Sequence, residues 1–289
     1  MTAFWIILTG ALLAASSGIL GSFLLLRKMA MIGDAISHAV LPGIALAYLV
    51  SGLGTNYFLL IGAALFGMIT TLIIQWLDKR IKMQTDASIG VTFTFLFALG
   101  IILISAFASQ IDLDQECVLY GEIAYVPLDL IYTASGDAIG PRQVWILGVN
   151  LIIVLLAVTI GWRGWMISSF NEEHARSLGI NTSVWHYSLM MLVSLTTVVS
   201  FESVGAILVV AFLVIPAATA YLLSDKLVNM VILSVVFGVI SSILGYGLAW
   251  IMDSSIAGSM AVIAGLLFLL TLFFRPKEGI ISKWIKFSK

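Results

Sequence analysis

The sequence predicts an all-α, polytopic transmembrane helical bundle of about eight or nine spans, and three observations carry that prediction. Of the 289 residues, 61% are hydrophobic and only 10% charged, with a mean hydropathy of +1.12, whereas soluble domains carry about 25% charged residues. Apolar runs of about 20 residues recur along the whole chain, each long enough at 1.5 Å per residue to cross about 30 Å of hydrocarbon. The alternating segments of about 10 residues that mark a transmembrane β-barrel are not seen. Residues 1–289 therefore read as one transmembrane domain.

The predicted spans are 4–26, 31–50, 55–77, 88–108, 143–161, 183–200, 203–223, 228–252 and 256–274. No A-x-A cleavage site follows the first, so it reads as a span rather than a removed signal peptide. The second opens within "MIGDAISHAVLPGIALAYL", where Asp34 and His38 stand near its start and Pro42 interrupts it. Residues 109–142 are too polar to span, although "ECVLYGEIAYVPLDLIY" is compatible with a short re-entrant or surface helix. The stretch 163–182 follows the fifth span as a loop that turns from polar to amphipathic. Pro216 interrupts the seventh span. Both prolines predict kinks, with hinges as a further role. The surroundings of Pro42 and Pro216 look alike and run in opposite directions, as in an inverted repeat. Gly62, Gly67, Gly238, Gly245, Gly247, Gly258 and Gly265 suit close helix packing in lipid.

Charge then orients the bundle. With the nine spans threaded alternately from an outside N-terminus, 13 of the 14 Lys and Arg residues fall on one side and only Arg142 opposite. The positive-inside rule makes that side cytoplasmic, the C-terminus included. The outer loop 109–142 is acidic, with Asp112, Asp114, Glu116, Glu122, Asp129 and Asp137. The net charge of −1 says nothing about partners, and a single cysteine, Cys117, rules out an internal disulfide framework.

Asp34 and His38, four residues apart, stack on one helical face and can address one point. A carboxylate inside a span costs about 2.5 kcal/mol or more, so such groups usually face a cavity or the bundle interior. Carboxylate oxygen and imidazole nitrogen together suit a first-row divalent metal such as Mn²⁺, Fe²⁺ or Zn²⁺. The plainer alternative makes Asp34 the N-cap of this helix and His38 a buried hydrogen-bonding residue. Two ligands leave a metal site incomplete, so a second chain or water must supply the rest. Glu202 and Asp253 fall near outer helix ends, where carboxylates reach water. His174 and His186 lie in or beside a cytoplasmic loop and read as solvated.

Within that loop, "NEEHARSLG" reads as a short helix capped by Asn171, with Glu172 and Glu173 at its positive end and Gly179 at its termination. It is either a docking piece for a soluble partner or an ordinary interfacial helix. There is no G-x-x-x-x-G-K-[ST], no H-E-x-x-H and no G-x-S-x-G, which argues against a P-loop ATPase, a zincin and a serine hydrolase. The residues alone leave open an ion-coupled secondary transporter using Asp34, and a membrane scaffold or sensor that moves nothing.

"LLLRKMAMIGDAISHAVLPGIALAYL", "TDASIGVTFTFLFALGIILIS", "SFNEEHARSLGI" and "VGAILVVAFLVIPAATAYLL" resemble the membrane subunit of the ABC-3 family, the bacterial manganese, zinc and iron importers of the ATP-binding-cassette type. "ECVLYGEIAYVPL" resembles the manganese branch. The resemblance implies a metal-chelate-type permease acting as a dimer with an identical or related chain. It implies two cytoplasmic ATPase subunits holding the ATP and an extracytoplasmic metal-binding protein that delivers the ion. It places transported Mn²⁺, Zn²⁺ or Fe²⁺ on Asp34 and His38, and coupling to the ATPase on Glu173, Ala175 and Gly179 of the E-x-A-x-x-x-G pattern. His174 as its second residue departs from the basic version of that pattern. Lipid is the only other partner implied, and nucleic acid is not.

Overall fold

A computed structural model describes residues 2–51, 56–107, 123–132 and 138–274. The described chain is helical almost throughout: α1 (Thr2–Leu26), α2 (Ile32–Ser51), α3 (Asn56–Ile81), α4 (Thr85–Phe107), α5 (Arg142–Phe170), α6 (Glu172–Ser177), α7 (Thr182–Leu223), α8 (Leu227–Met252) and α9 (Ile256–Phe274). Nine helical stretches among the described residues are long and apolar enough to cross a membrane. They coincide with the nine expected spans to within a few residues at most ends. Lipid offers no water to backbone groups, so the helices satisfy them internally, and several buried hydroxyls bond within their own helix. Thr9 Oγ1 thus donates to the Trp5 carbonyl and Ser22 Oγ to that of Gly18, both at 2.8 Å.

Helix α1 is packed on several sides, against α5, α7 and α8. Its seam with α8 is a ladder of small residues at a spacing of four, Gly10, Ala14 and Gly18 facing Ser242, Gly238 and Ser234. A Cβ built on Gly238 would lie 2.7 Å from that of Ala14. Ser234 Oγ donates to the Gly18 carbonyl at 3.0 Å across the seam. Dispersion at such close approach, rather than hydrophobic exclusion, is what holds helices together in lipid. Helices α2 and α3 meet in the same way, Gly43 against Gly62. Pro42 is buried inside α2 and packs on Gly100 of α4, and Pro216 is buried inside α7.

Helix α7 holds two spans. Its regular dihedrals fail at Gly205 (φ 76°, ψ 167°), a conformation open to glycine alone without strain. There the chain doubles back. His186 touches Arg27 at the end of α1, while Leu213 packs on Gly21, six residues earlier in α1. A straight helix would separate residues 186 and 213 by about 40 Å, against about 9 Å between 21 and 27.

One expectation needs correction. Helix α5 continues to Phe170, so the first eight residues of the stretch 163–182 are helix rather than loop. The extension is amphipathic and buries Trp165, whose ring meets Phe23 of α1 and Trp185 of α7 and whose Nε1 donates to Ser188 Oγ at 3.0 Å. In "ECVLYGEIAYVPLDLIY", residues 116–122 lie outside the described residues, and the rest is a 3₁₀ turn (Val126–Leu128) followed by strand β1 (Leu130–Tyr132). Pro127 supplies no N–H to extend a helix, and Leu130–Tyr132 pairs antiparallel with β2 (Ala138–Pro141).

Candidate functional site

Asp34 is the third residue of α2, inside the first turn, where the positive end of the helix favours a carboxylate. The helix starts two residues before it, so Asp34 does not stand at the N-cap. His38 follows one turn on, its Nε2 3.6 Å from Asp34 Oδ1. The two side chains are 35% and 29% exposed, enough to be reached from outside the subunit and too little to be freely solvated. Two rings of α4 hold the imidazole, Phe93 at 5.5 Å between centroids and Phe97 edge-on at 5.3 Å. Behind the pair, Ala35, Ile36 and Ala39 are fully buried. No pattern around Asp34 and His38 pointed to the two phenylalanines, which come from another helix about 55 residues away in the chain.

Among the described residues no third His, Cys, Asp or Glu joins the pair to make a group that could hold a metal ion. One oxygen and one nitrogen donor from this chain are half of a tetrahedral set or a third of an octahedral one. The exposed flank of the pair is therefore the side from which any further ligands must come.

The second expected site lies at the end of the bundle that carries the basic residues. Asn171 caps both α5 and α6, its Oδ1 accepting from His174 N at 2.9 Å. Helix α6 ends in a Schellman motif: Ile180 N donates to Ala175 O and Gly179 N to Arg176 O, both at 3.0 Å, with Gly179 at φ 76°. Ala175 is wholly buried beneath the helix while Glu173 and His174 stand exposed. The expected pattern thus has a local physical meaning. The alanine lets α6 lie close on the bundle, the glycine closes the helix, and Glu173 is displayed outward.

A staple holds α6 to α7. Glu172 Oε1 accepts from Arg176 Nη2 at 2.6 Å and from Thr182 Oγ1 at 3.2 Å. Partial burial pushes the Glu172 carboxyl upward, but these hydrogen bonds and the charges of Arg176 and Lys79 outweigh it and hold the group below its ordinary range. His174 is solvated as expected. His186 is not: it is half-buried, and its Nδ1 lies 3.2 Å from Arg27 Nη1. Its partner, 159 residues away, could not be read from a local pattern. Asp253 caps α8 in a left-handed turn and is exposed, as expected of an end carboxylate. The side chain of Glu202 lies outside the described residues, as do the acids of the outer loop except Asp129.

Comparison with known proteins decides the class of this arrangement. The description "ABC 3 transport family" matches residues 1–275. The chain belongs to that family. It is 44% identical over 282 residues to the manganese transport system membrane protein MntD of Bacillus subtilis, covering 98% of this chain and 95% of that one. It is 36% identical over 278 residues to the zinc transport system membrane protein TroD of Treponema pallidum, covering 96% and 75%. Among solved structures it is similar to PsaBC from Streptococcus pneumoniae in complex with Fab, with a TM-score of 0.77, 33% identity and coverage of 99% and 94%. The multi-pass helical architecture is thus that of a family of transporter membrane subunits.

Proposed function

We propose that this chain is the membrane permease of an ATP-driven importer of divalent transition-metal ions, with Mn²⁺ as the first cargo and Zn²⁺ or Fe²⁺ as alternatives. The observation that carries the proposal is the Asp34–His38 pair, two metal-ligating side chains 3.6 Å apart, half-exposed on a membrane-spanning helix. An ionisable side chain within a membrane-spanning helix is a functional group by default. The names of the relatives supply the cargo class, manganese first and zinc second.

In this reading the subunit itself performs no chemistry. The basic end is cytoplasmic, the N-terminus is outside, and two ATPase subunits dock on α6 through the exposed Glu173 and its neighbours. A metal-binding protein delivers the ion from outside. A second permease, identical or related, brings its own acid and imidazole to the exposed flank of α2. Two carboxylates and two neutral imidazoles then balance a 2+ ion away from water. Carboxylate oxygen is the donor that suits Mn²⁺, whereas affinity alone would prefer Zn²⁺. The site holds the ion in transit and must bind loosely enough to release it. Pro42 and Pro216, each buried within a helix, are the places where those helices can bend during alternation.

The test is uptake into proteoliposomes containing this chain, its ATPase and its metal-binding protein. Radioactive Mn²⁺ should accumulate only with ATP, and weak competition by Zn²⁺ would place manganese first. Accumulation driven by a proton gradient without ATP, in an assembled complex, would overturn the reading and make Asp34 a coupling acid.

A further inference from the structure

Among the described residues at the basic end, the Arg27 side chain joins three helices. It follows the last residue of α1, and all three of its nitrogens reach outward. Nε donates to Ser169 Oγ at 2.9 Å, Nη2 to Ser168 Oγ at 2.8 Å, and Nη1 faces His186 Nδ1 at 3.2 Å. Because Arg has no acceptor, His186 must accept through Nδ1 and is the neutral tautomer with its proton on Nε2. One planar fork thereby ties together the end of α1, the end of α5 and the first turns of α7. Burial draws the guanidinium down to about 10, with the Glu172 charge pulling the other way.

What lies on each side of this fork gives it a role. On one side the end of α5, helix α6 and the start of α7 form a single block. Asn171 is shared between α5 and α6, Glu172 is stapled to Thr182, and Trp165 Nε1 is bonded to Ser188. On the other side, Arg27 opens the corner between α1 and α2, which is as firmly made. Lys28 N donates to Leu25 O and Met29 N to Leu24 O, both at 3.0 Å, with Lys28 at φ 59°, a Schellman turn without its glycine. Met29 is buried, Ile32 N donates to Met29 O, and Asp34 stands two residues further on. Phe23 also packs against the block through Trp162 and Trp165, but ring contacts slide, whereas a three-armed fork fixes position. A cavity of 290 Å³ beside the fork, lined by Gln75, Asp78, Lys79 and Glu172 among others, leaves the joint room to move.

We propose that Arg27 is a positioning residue for transport. Its guanidinium carries displacement of the docking helix α6 to the α1–α2 corner, and so to Asp34 and the metal pair. The proposal rests on the permease reading above, because it needs an ATPase that pushes α6.

The assembled transporter in proteoliposomes tests it, with Mn²⁺ accumulation and ATP hydrolysis measured separately. Arg27→Gln should leave hydrolysis close to wild type while Mn²⁺ accumulated per ATP falls about tenfold, the size of effect expected when a coupling element is cut. Arg27→Lys keeps the charge without the fork and should recover little of the loss. The Ser168→Ala/Ser169→Ala double variant leaves Arg27 in place and should lower the ratio in the same direction. It decides the matter if Arg27→Gln does not assemble. Accumulation and hydrolysis falling in parallel, or an unchanged ratio in the double variant, would reduce Arg27 to a structural bond and overturn the proposal. Wild-type transporter without ATP-dependent uptake would instead defeat the permease reading itself.

Discussion

The seam between α1 and α8 makes a quantitative prediction. Gly238→Ala adds a methyl 2.7 Å from the Ala14 Cβ, where carbon atoms prefer about 3.5–4.0 Å. The helices must part by about 1 Å, and the overpacking costs about 2 kcal/mol. Alanine in mid-helix returns about 0.7 kcal/mol over glycine, leaving a net loss of about 1.3 kcal/mol. Ala14→Gly alone loses about 0.7 kcal/mol of the same propensity. The pair together exchanges the methyl from one helix to the other. The propensity changes cancel, and the Ala14 Cα and carbonyl oxygen stand at 3.5 Å from the new Cβ, an ordinary contact. The double variant should thus match wild type, with a coupling energy of about 2 kcal/mol between the sites. Equilibrium unfolding of the detergent-solubilised protein, run on all four members of the cycle, reads this directly. Additive losses, with the double variant the least stable of the four, would refute the close-approach account of this seam.

Three further outcomes are expected. Asp34→Asn or His38→Ala should lower ATP-dependent Mn²⁺ uptake more than tenfold, with the subunits still co-purifying, since each removes half of this chain's ligands; normal uptake in either would remove the pair from the pathway. Gly179→Ala places a methyl in open space but in a left-handed conformation, so it should destabilise the end of α6 by about 1 kcal/mol. Gly179→Asn should cost less, and affinity for the ATPase subunit should follow the order Gly, Asn, Ala. Glu172 has a folded-state pKa below its ordinary 4.5, so its contribution is complete above that pH and is lost as pH falls through the lower folded value. Thermal stability of wild type and Glu172→Gln, measured down a pH series, should therefore differ near neutrality and converge in acid.

Much of the site was legible because its geometry is local. Four residues of spacing put Asp34 and His38 on one helix face whatever the rest of the chain does, and the cap and glycine around α6 act within ten residues. The two misreadings share the opposite cause. His186 looked solvated because it sits beside a polar loop, whereas its hydrogen-bond partner, Arg27, comes from the end of the first helix. Residues 163–170 looked like loop because Arg163 and two serines interrupt the apolar run. They are helical because Trp165 finds Phe23 and Trp185 and the serines find Arg27.

The sequence by itself determined the place of the spans among the described residues, the segregation of charge along the chain, and the pairing of an acid with an imidazole. Each of these depends on hydropathy or on spacing along one helix, and a bilayer enforces both without reference to neighbours. Only the tertiary structure decided which glycines meet across a seam, where α7 doubles back, which rings hold His38 and what Arg27 joins. Those contacts run between helices, and in lipid they are selected by close packing of particular small surfaces, which one strand of sequence does not record.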